Sequence, residues 1–325
     1  MILDTFPACP GSGSFLMKYT FGPVNSRRLG LSLGIDLLAD KTCSFNCIYC
    51  EIGASPRVTC DRKEYTPTAE IIAEIDHVIR NQSKSKPIDV FTVTGNGEPT
   101  LHSGLGKIIR HIKGKTAKPV AVLTNGSLLH RTDVREDLFG ADIVIPSLDA
   151  ALEGSFRKIN RPASCNTLSE IIDGLIAFSQ EFTGKLWLEI LIVKGINDTP
   201  DDIHAFQQVI TKIKPAMVQL NTVARPPLEK YAHPVSKKEL EHIAKELPGK
   251  VEIIVDFSQK QKEQTRNANE SEILHILQRR PCTASDICEA LNLETDSTLK
   301  ALLHLEKAAS ITITEHQGRK YYSAP

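Results

Sequence analysis

Short apolar segments alternate with amphipathic helical segments along the chain, and this alternation constrains the fold more than any other feature. Six segments are apolar or β-branched enough to be strands buried on both faces. They are Leu31–Leu38, Ile88–Thr94, Val120–Thr124, Ala141–Ser147, Leu186–Val193 and Met217–Val223. We therefore predict six strands of one sheet.

Segments with helical periodicity lie between these strands. The segment TPTAEIIAEIDHVIRN begins with Thr–Pro and places Ile71, Ile75, Val78 and Ile79 on one stripe. GLGKIIRHIKG, SEIIDGLIAFSQEF and PDDIHAFQQVITKI follow the same pattern. The repeated alternation predicts an α/β fold with a parallel sheet and right-handed crossovers. A barrel or partial barrel and a doubly wound open sheet both satisfy it, and both place their chemistry at the C-terminal ends of the strands.

The composition changes near residue 258, where a polar segment without apolar periodicity indicates a linker. Three helical segments and a hairpin turning near Gln317–Gly318 follow, which is the order of a winged helix-turn-helix. In the last of these helices, DSTLKALLHLEKAAS, we expect the leucines and alanines to be core residues. The expected domains are a loose N-terminal lead-in at 1–17, an α/β domain at 18–257, the linker at 258–269 and the winged helix at 270–325.

Charge and composition exclude several classes of protein. The 39 Lys and Arg residues balance 39 Asp and Glu residues, so no net field draws the chain to nucleic acid or anionic membranes. No uncharged apolar run reaches the roughly 18 residues of a membrane span. The N-terminus also lacks a basic segment followed by an apolar one, so we expect no signal peptide and a cytoplasmic location.

Three of the eight cysteines, Cys43, Cys47 and Cys50, have the spacing C-x3-C-x2-C directly after the first strand. A structural zinc ion takes four ligands, and an iron–sulfur cube normally takes four thiolates. Within ten residues on either side, the only other cysteine or histidine is Cys60. Three thiolates would leave one iron of a cube open, which indicates a reactive site. The alternative is three unrelated buried cysteines.

This spacing, with Tyr49 just before the third cysteine, resembles the signature of the radical S-adenosylmethionine (radical SAM) superfamily. The resemblance implies a partial (β/α)6 TIM-like barrel and a [4Fe–4S] cluster on Cys43, Cys47 and Cys50. It also implies that the cluster reductively cleaves S-adenosylmethionine to a 5′-deoxyadenosyl radical, which abstracts hydrogen from the substrate. The chain would then be an Fe–S oxidoreductase or transferase.

The resemblance extends to the loops that follow the later strands. Superfamily members bind the methionine amino group after the second strand, its carboxylate after the third, the ribose after the fourth and adenine after the fifth. By this resemblance Gly95, Asn96, Gly97 and Glu98 correspond to the amino-group loop, and Thr124 and Asn125 to the carboxylate loop. Ser147 and Asp149 correspond to the ribose loop, and Ile196 to the adenine loop. Tyr49, in the cysteine loop, completes the expected cofactor-binding residues.

A closer resemblance, over residues 18 to about 230, is to the tRNA wybutosine-synthesising branch of the superfamily. The matching segments include KTCSFNCIYCEIG, TGNGEPTLH and RKINRP. That branch carries a second cluster whose ligands precede the first, whereas this chain has no cysteine between Lys18 and Cys43. Cys9, Cys60 and Cys165 lack the spacing of that second cluster. The appended winged helix is a second departure. We therefore expect this chain to share the fold of that branch but not its wybutosine-forming reaction.

The expected partners follow from these features. The resemblance implies an external electron donor such as a flavodoxin- or ferredoxin-like protein. Eight cations lie in loops that could surround the barrel mouth: Arg27, Arg28, Lys41, Arg57, Arg157, Lys158, Arg161 and Arg225. They favour an anionic substrate or RNA. The alternative is that they are scattered surface charges without a ligand. The winged helix favours docking of RNA or a peptide over DNA, because its Lys and Arg do not outnumber its acids. The alternative function is an Fe–S redox sensor that binds DNA.

Overall fold

An eight-stranded sheet forms the centre of the structure, a computed structural model that describes residues 17–26, 28–82, 87–255 and 266–324. The strands are β1 (Thr20–Ser26), β2 (Gly30–Ile35), β3 (Thr42–Cys43), β4 (Arg57–Val58), β5 (Val90–Val93), β6 (Val120–Thr124), β7 (Ile143–Pro146), β8 (Lys185–Ile192), β9 (Met217–Thr222), β10 (Val251–Ile253), β11 (Thr312–His316) and β12 (Arg319–Ser323). The helices are α1 (Thr68–Arg80), α2 (Leu105–Lys115), α3 (Thr132–Leu138), α4 (Glu153–Ile159), α5 (Leu168–Glu181), α6 (Pro200–Ile213), α7 (Lys237–Glu246), α8 (Glu270–Leu277), α9 (Ala284–Leu291) and α10 (Thr295–Lys307).

The strand order of the large sheet distinguishes between the two predicted architectures. The order is β1-β2-β5-β6-β7-β8-β9-β10, with β1 antiparallel to β2 and every other neighbouring pair parallel. From β2 onward the spatial order follows the chain without reversal, whereas a doubly wound sheet reverses at a switch point. The partial (β/α)6 TIM-like barrel is therefore confirmed.

The register of the parallel strands brings the loops that follow them to one edge. Ile35 pairs with Val93, and Thr124 pairs with Pro146, each near the C-terminal end of its strand. The segments that follow β2, β5, β6 and β7 consequently meet at the same end of the barrel.

The main core lies between this sheet and the surrounding helices. Ile71 and Ile75 of α1 are fully buried, while Val78 and Ile79 on the same predicted stripe are half-buried. Each fully buried side chain of this size contributes about 1.5–3 kcal/mol to folding. Helix α6 coincides with its predicted segment because Thr199 and Asp202 form a capping box at its start.

The structure also contains elements that the sequence pattern does not predict. Strand β1 carries Gly22–Pro23 and pairs on one side only, so it lacks the apolar run of a central strand. Strand β10, at the other edge, has only three residues. The short helices α3 and α4 have seven residues each, too few for a clear period.

Residues 266–324, here called the C-terminal segment, contain α8, α9, α10 and the antiparallel hairpin β11–β12. They have a hydrophobic core of their own, with Ile273, Ile287 and Leu302 at its centre. The order of elements is the predicted one, and the hairpin turns at Gln317–Gly318. The assignment of this segment as a winged helix stays a prediction.

Two leucines of α10 and two alanines just after it correct the sequence prediction, since Ala308 and Ala309 are exposed. Leu299 and Leu303 are 40% and 55% exposed, whereas Leu302 and Leu305 are buried as expected. Residues 299 and 303 are one helical turn apart and lie on the same face, which is turned away from the segment's core.

Several predictions concern residues outside the described ranges. These are the lead-in up to residue 16, the linker up to residue 265, and Arg27. Within the described ranges, no helix combines the length and the apolar character needed to cross a bilayer.

Candidate cofactor site

The loop that carries the three cysteines is held from two sides by main-chain hydrogen bonds. On one side the Thr42 carbonyl accepts from the Glu98 N–H at 3.0 Å, and the Thr42 N–H donates to Asn96 O at 3.1 Å. On the other side Ile48 N donates to Ile159 O at 3.0 Å, at the end of α4. The cysteine loop is therefore fixed between the loop after β5 and the loop after α4.

Each of the three sulfurs accepts a hydrogen bond from a different side chain. Asn125 Nδ2 lies 3.5 Å from Cys43 Sγ, Asn160 Nδ2 lies 3.4 Å from Cys47 Sγ, and Lys41 Nζ lies 3.1 Å from Cys50 Sγ. Donors of this kind stabilise a thiolate. At Cys43 burial outweighs the groups that favour the thiolate, and it raises the pKa of this thiol to about 12. Binding of a metal centre would displace the thiol protons, because cysteine ligates a metal as the thiolate.

The three thiols supply the type of donor atom that an iron–sulfur cluster takes. Among the described residues, no three Cys, His, Asp or Glu side chains converge closely enough to hold one metal ion. In an iron–sulfur cube each thiolate binds its own iron, so the sulfurs do not share one centre. Three thiols with their own donors therefore match the donor set of a [4Fe–4S] cluster.

Cys60 and Cys165 form a disulfide with each other, with their Cα atoms 6.4 Å apart. Residues next to both cysteines in the chain contact the cysteine loop: the Thr59 N–H donates to Cys43 O, and the Ala163 N–H donates to Ser44 O. In this form neither sulfur is available as a cluster ligand, whether for a fourth position or for a second cluster.

The loop after β5 has a backbone that glycine alone accommodates. Gly95 and Gly97 have φ of +147° and +149°. A Cβ on Gly97 would lie 1.8 Å from Thr42 O, and a Cβ on Gly95 would lie 2.3 Å from the Asp36 carboxylate. The missing side chains allow this loop, including Asn96, to approach the cysteine loop directly.

Glu98 is buried beneath this loop and joins two strand ends. Its Oε1 accepts from Thr100 N at 2.9 Å and from Thr124 Oγ1 at 2.6 Å, and its Oε2 accepts from Asn125 N at 2.6 Å. Burial raises the pKa of this carboxyl, and these hydrogen bonds oppose that rise. The carboxylate thereby fixes the positions of Thr124 and Asn125.

Asp149 occupies the corresponding position after β7. One carboxylate oxygen accepts from the Tyr49 hydroxyl and from Asn160 Nδ2 at 2.9 Å, and the other accepts from Leu191 N at 3.1 Å. Burial raises its pKa to about 6. Ser147, two residues earlier, is half-buried and donates its N–H to Thr124 O at 2.9 Å.

Ile196 lies in the loop after β8, half-buried against the main core. Its neighbour Asn197 is fully buried and donates from Nδ2 to Asp149 O at 2.7 Å and to Leu191 O at 2.8 Å. The Ile196 loop is thus connected to the Asp149 loop through Asn197.

The structure brings the predicted residues together in one connected site. The cysteine loop, Gly95–Glu98, Thr124–Asn125 and Asp149 are linked by direct hydrogen bonds, and Ile196 is linked through its neighbour. The sequence analysis missed Asn160 and Asn197 as individual residues. Both lie in segments that the resemblance already includes, RKINRP and VKGINDTPDDI. An amide side chain within such a segment is the feature by which the sequence could have identified them.

Comparisons with known proteins give a consistent result. A family model described as the Radical SAM superfamily matches residues 41–207. The UPF0026 protein of Helicobacter pylori is 35% identical over 312 residues, covering 95% of this chain and 98% of the relative. A protein of Brachyspira hyodysenteriae named GTPase Obg is 39% identical over 289 residues, and the match covers 88% of this chain. This chain spans only 42% of the length of that relative.

Among solved structures, TYW1 with a lysine–pyruvate adduct bound has a TM-score of 0.52 at 20% identity. The match covers 69% of this chain and 74% of that one. At this identity the likeness concerns the fold.

Proposed function

The chain belongs to the radical SAM superfamily, and we propose that Cys43, Cys47 and Cys50 hold the [4Fe–4S] cluster with which its members cleave S-adenosylmethionine. The single observation that carries the assignment to these residues is the set of three donors, Asn125, Asn160 and Lys41, each directed at a different sulfur. A site of three unrelated cysteines has no need of such a set.

When bound, the cluster and S-adenosylmethionine supply one-electron cleavage of a carbon–sulfur bond and a 5′-deoxyadenosyl radical that takes hydrogen from the substrate. The contribution of the protein is to position these groups. Hydrogen bonds to the sulfurs also influence the reduction potential of a cluster. Asn125, Asn160 and Lys41 would have this effect.

The residues around the cysteine loop would bind S-adenosylmethionine. The glycine backbone at 95–97 would admit the methionine amino group, and Asn125, held by Glu98, would lie at the methionine carboxylate. Tyr49, Ser147 and Asp149 would contact the ribose side, and Ile196 the adenine. Support for this assignment comes from the hydrogen bonds that join these loops to one another and to the cysteine loop.

Superfamily enzymes need an external electron donor, and we take it to be a flavodoxin- or ferredoxin-like protein. The substrate would be anionic. The wybutosine reaction is not transferred to this chain, because the segment between Lys18 and Cys43 has no cysteine that could ligate a second cluster.

Anaerobic reconstitution with iron and sulfide, followed by reduction with dithionite in the presence of S-adenosylmethionine, tests the proposal. The expected products are methionine and 5′-deoxyadenosine. Cys43→Ala should abolish them, whereas Cys288→Ala, in the C-terminal segment, should not. If the wild-type chain carries a reducible cluster and forms neither product, the proposed function is wrong.

A further inference from the structure

A cavity of about 280 Å³ lies between the inner face of the barrel and the C-terminal segment. Thr94 and Asn96 line it from the loop proposed to bind the cofactor, and Asn221 lines it from β9. Ile276 and Ala290, from α8 and α9, line it from the opposite side. Part of the wall of this cavity therefore comes from the C-terminal segment and part from the proposed cofactor site.

Four arginines line this cavity, and three of them, Arg28, Arg225 and Arg279, form an ion pair with a carboxylate. Arg28 Nη1 donates to Glu189 Oε2 at 2.7 Å. Arg279 Nη1 donates to Asp36 Oδ2 at 2.5 Å. These two guanidinium groups position parts of the protein relative to one another.

Arg225 and Arg280, the other two, keep donors that the described residues do not satisfy. Arg225 donates from Nη1 to Glu51 Oε2 at 2.8 Å, but its Nε is buried without a hydrogen-bond partner among the described residues. The Arg280 guanidinium forms no hydrogen bond or ion pair within the part of the chain that the structure describes. A buried donor left unsatisfied, such as that of Arg225, costs about 1–3 kcal/mol. Retention of such a residue beside a cavity therefore indicates that a ligand supplies the acceptor.

The carboxylates of the cavity are already engaged. Glu51 pairs with Arg225. Asp286 accepts from the Thr283 N–H and hydroxyl in the capping box of α9, and neither Asp286 nor Glu289 is without a partner. The unmatched groups are therefore guanidinium donors, which complement an oxyanion in planar geometry.

We propose that this cavity binds the substrate of the enzyme, and that the substrate is a small molecule or a single side chain ending in an oxyanion, a carboxylate or a phosphate. The guanidinium groups of Arg225 and Arg280 bind that group, so the C-terminal segment supplies part of the substrate site. This inference rests on the proposed function for the identity of the ligand as substrate. The cavity volume is close to the lower end of the range for small-molecule sites.

The test measures binding of two probes, inorganic phosphate and succinate, to the full-length reconstituted chain by isothermal titration calorimetry. Saturable binding of at least one probe is expected, and the probe that binds distinguishes a phosphate from a carboxylate ligand. Arg280→Gln should weaken that binding about ten-fold or more, the loss expected for a hydrogen bond to a charged group. Arg225→Lys, which keeps a cation beside Glu51 but removes Nε, should do the same.

Arg131→Gln is the matched control, because Arg131 is 41% exposed and pairs with Asp133 outside the cavity. It should bind the probe like the wild-type chain, and circular dichroism checks that every variant is folded. The inference is overturned if the wild-type chain binds neither probe, or if folded Arg280→Gln and Arg225→Lys bind as tightly as Arg131→Gln.

Formation of 5′-deoxyadenosine by the same preparations separates this inference from the proposed function. If a probe binds and the two arginine variants weaken it, but no 5′-deoxyadenosine forms on reduction, the anion site stands and the proposed function fails. If 5′-deoxyadenosine forms but no probe binds, the proposed function stands and the inference fails.

Discussion

Arg279, in the C-terminal segment, donates a hydrogen bond to the buried carboxylate of Asp36 at the end of β2, over 2.5 Å. The same carboxylate oxygen of Asp36 accepts from Asn96 N at 3.3 Å. One ion pair thereby connects the C-terminal segment to the loop proposed to bind the methionine part of the cofactor.

Arg279→Gln should lower the free energy of unfolding by about 3–5 kcal/mol, because it leaves the Asp36 carboxylate, which is 2% exposed, without its cation. Urea denaturation measures this loss. The exposed Arg319→Gln in the β11–β12 hairpin is the control and should change the value by less than about 0.5 kcal/mol.

Combining Arg279→Gln with Asp36→Asn should recover part of the lost stability, because both charges are then removed together. Strict additivity of the two substitutions would show that the ion pair does not couple the C-terminal segment to β2.

Glu98→Gln should weaken binding of S-adenosylmethionine about ten-fold or more while iron content is unchanged. The substituted side chain keeps one acceptor oxygen, but its amide nitrogen would face the N–H of Asn125, which in the wild-type chain donates to Oε2 of Glu98. Two opposed donors displace the loop and leave a buried group unsatisfied.

Equilibrium dialysis with labelled S-adenosylmethionine measures this effect on the reconstituted chain. Glu64→Gln is the matched control, because Glu64 also accepts a main-chain N–H, that of Thr68 at 2.8 Å, but is itself exposed, four residues before α1 begins. Equal affinities of the two variants would show that Glu98 does not shape the cofactor loop.

Stability should fall as the pH drops through 6.5, with a contribution from His102. This ring is fully buried, with Nε2 2.8 Å from Thr66 O and Nδ1 3.0 Å from the Gly104 N. Burial lowers the pKa of His102 below its usual 6.5. The unfolded chain therefore takes up a proton first as the pH falls, which favours unfolding by at most about 1.4 kcal/mol per pH unit.

Thermal or urea unfolding of wild type and His102→Gln at about pH 7.5 and about pH 5.5 measures this contribution. The variant should be less stable at the higher pH and should lose less stability on acidification. His242→Gln, at a 76% exposed position of α7, should keep the wild-type pH dependence. A His102→Gln pH profile parallel to that of the wild type would contradict the assignment.

The motif residues could be predicted from the sequence because a barrel brings the ends of its parallel strands to one edge. Once Gly95–Glu98, Thr124 and Asp149 were placed after successive strands, their proximity followed from the fold. The bounds of α6 were also predictable, since Thr199 and Asp202 specify its start locally.

The contacts that complete the site were not predictable, because they join residues far apart in the chain. Asn160 and Cys47 are separated by 113 positions, and Arg279 and Asp36 by 243. No local period or turn signal encodes such a pairing. The same holds for the disulfide between Cys60 and Cys165, which are 105 positions apart.

The C-terminal segment should not bind duplex DNA. Its 7 Lys and Arg residues are outnumbered by 8 Asp and Glu residues, and two of those cations, Arg266 and Arg279, are paired with Glu272 and Asp36. Few cations remain for the phosphate contacts that supply most non-specific affinity. A gel-shift assay with random duplex at low salt should show no retardation at micromolar protein. Retardation that weakens steeply with added salt would instead favour the redox-sensing DNA regulator.

Iron per chain after anaerobic reconstitution tests whether Cys43, Cys47 and Cys50 hold a single cluster. About four irons are expected, the content of one [4Fe–4S] cluster. This iron should be lost in Cys47→Ala and retained in the double variant Cys60→Ser/Cys165→Ser, which removes only the disulfide. About eight irons per chain, or iron that survives Cys47→Ala, would contradict that assignment.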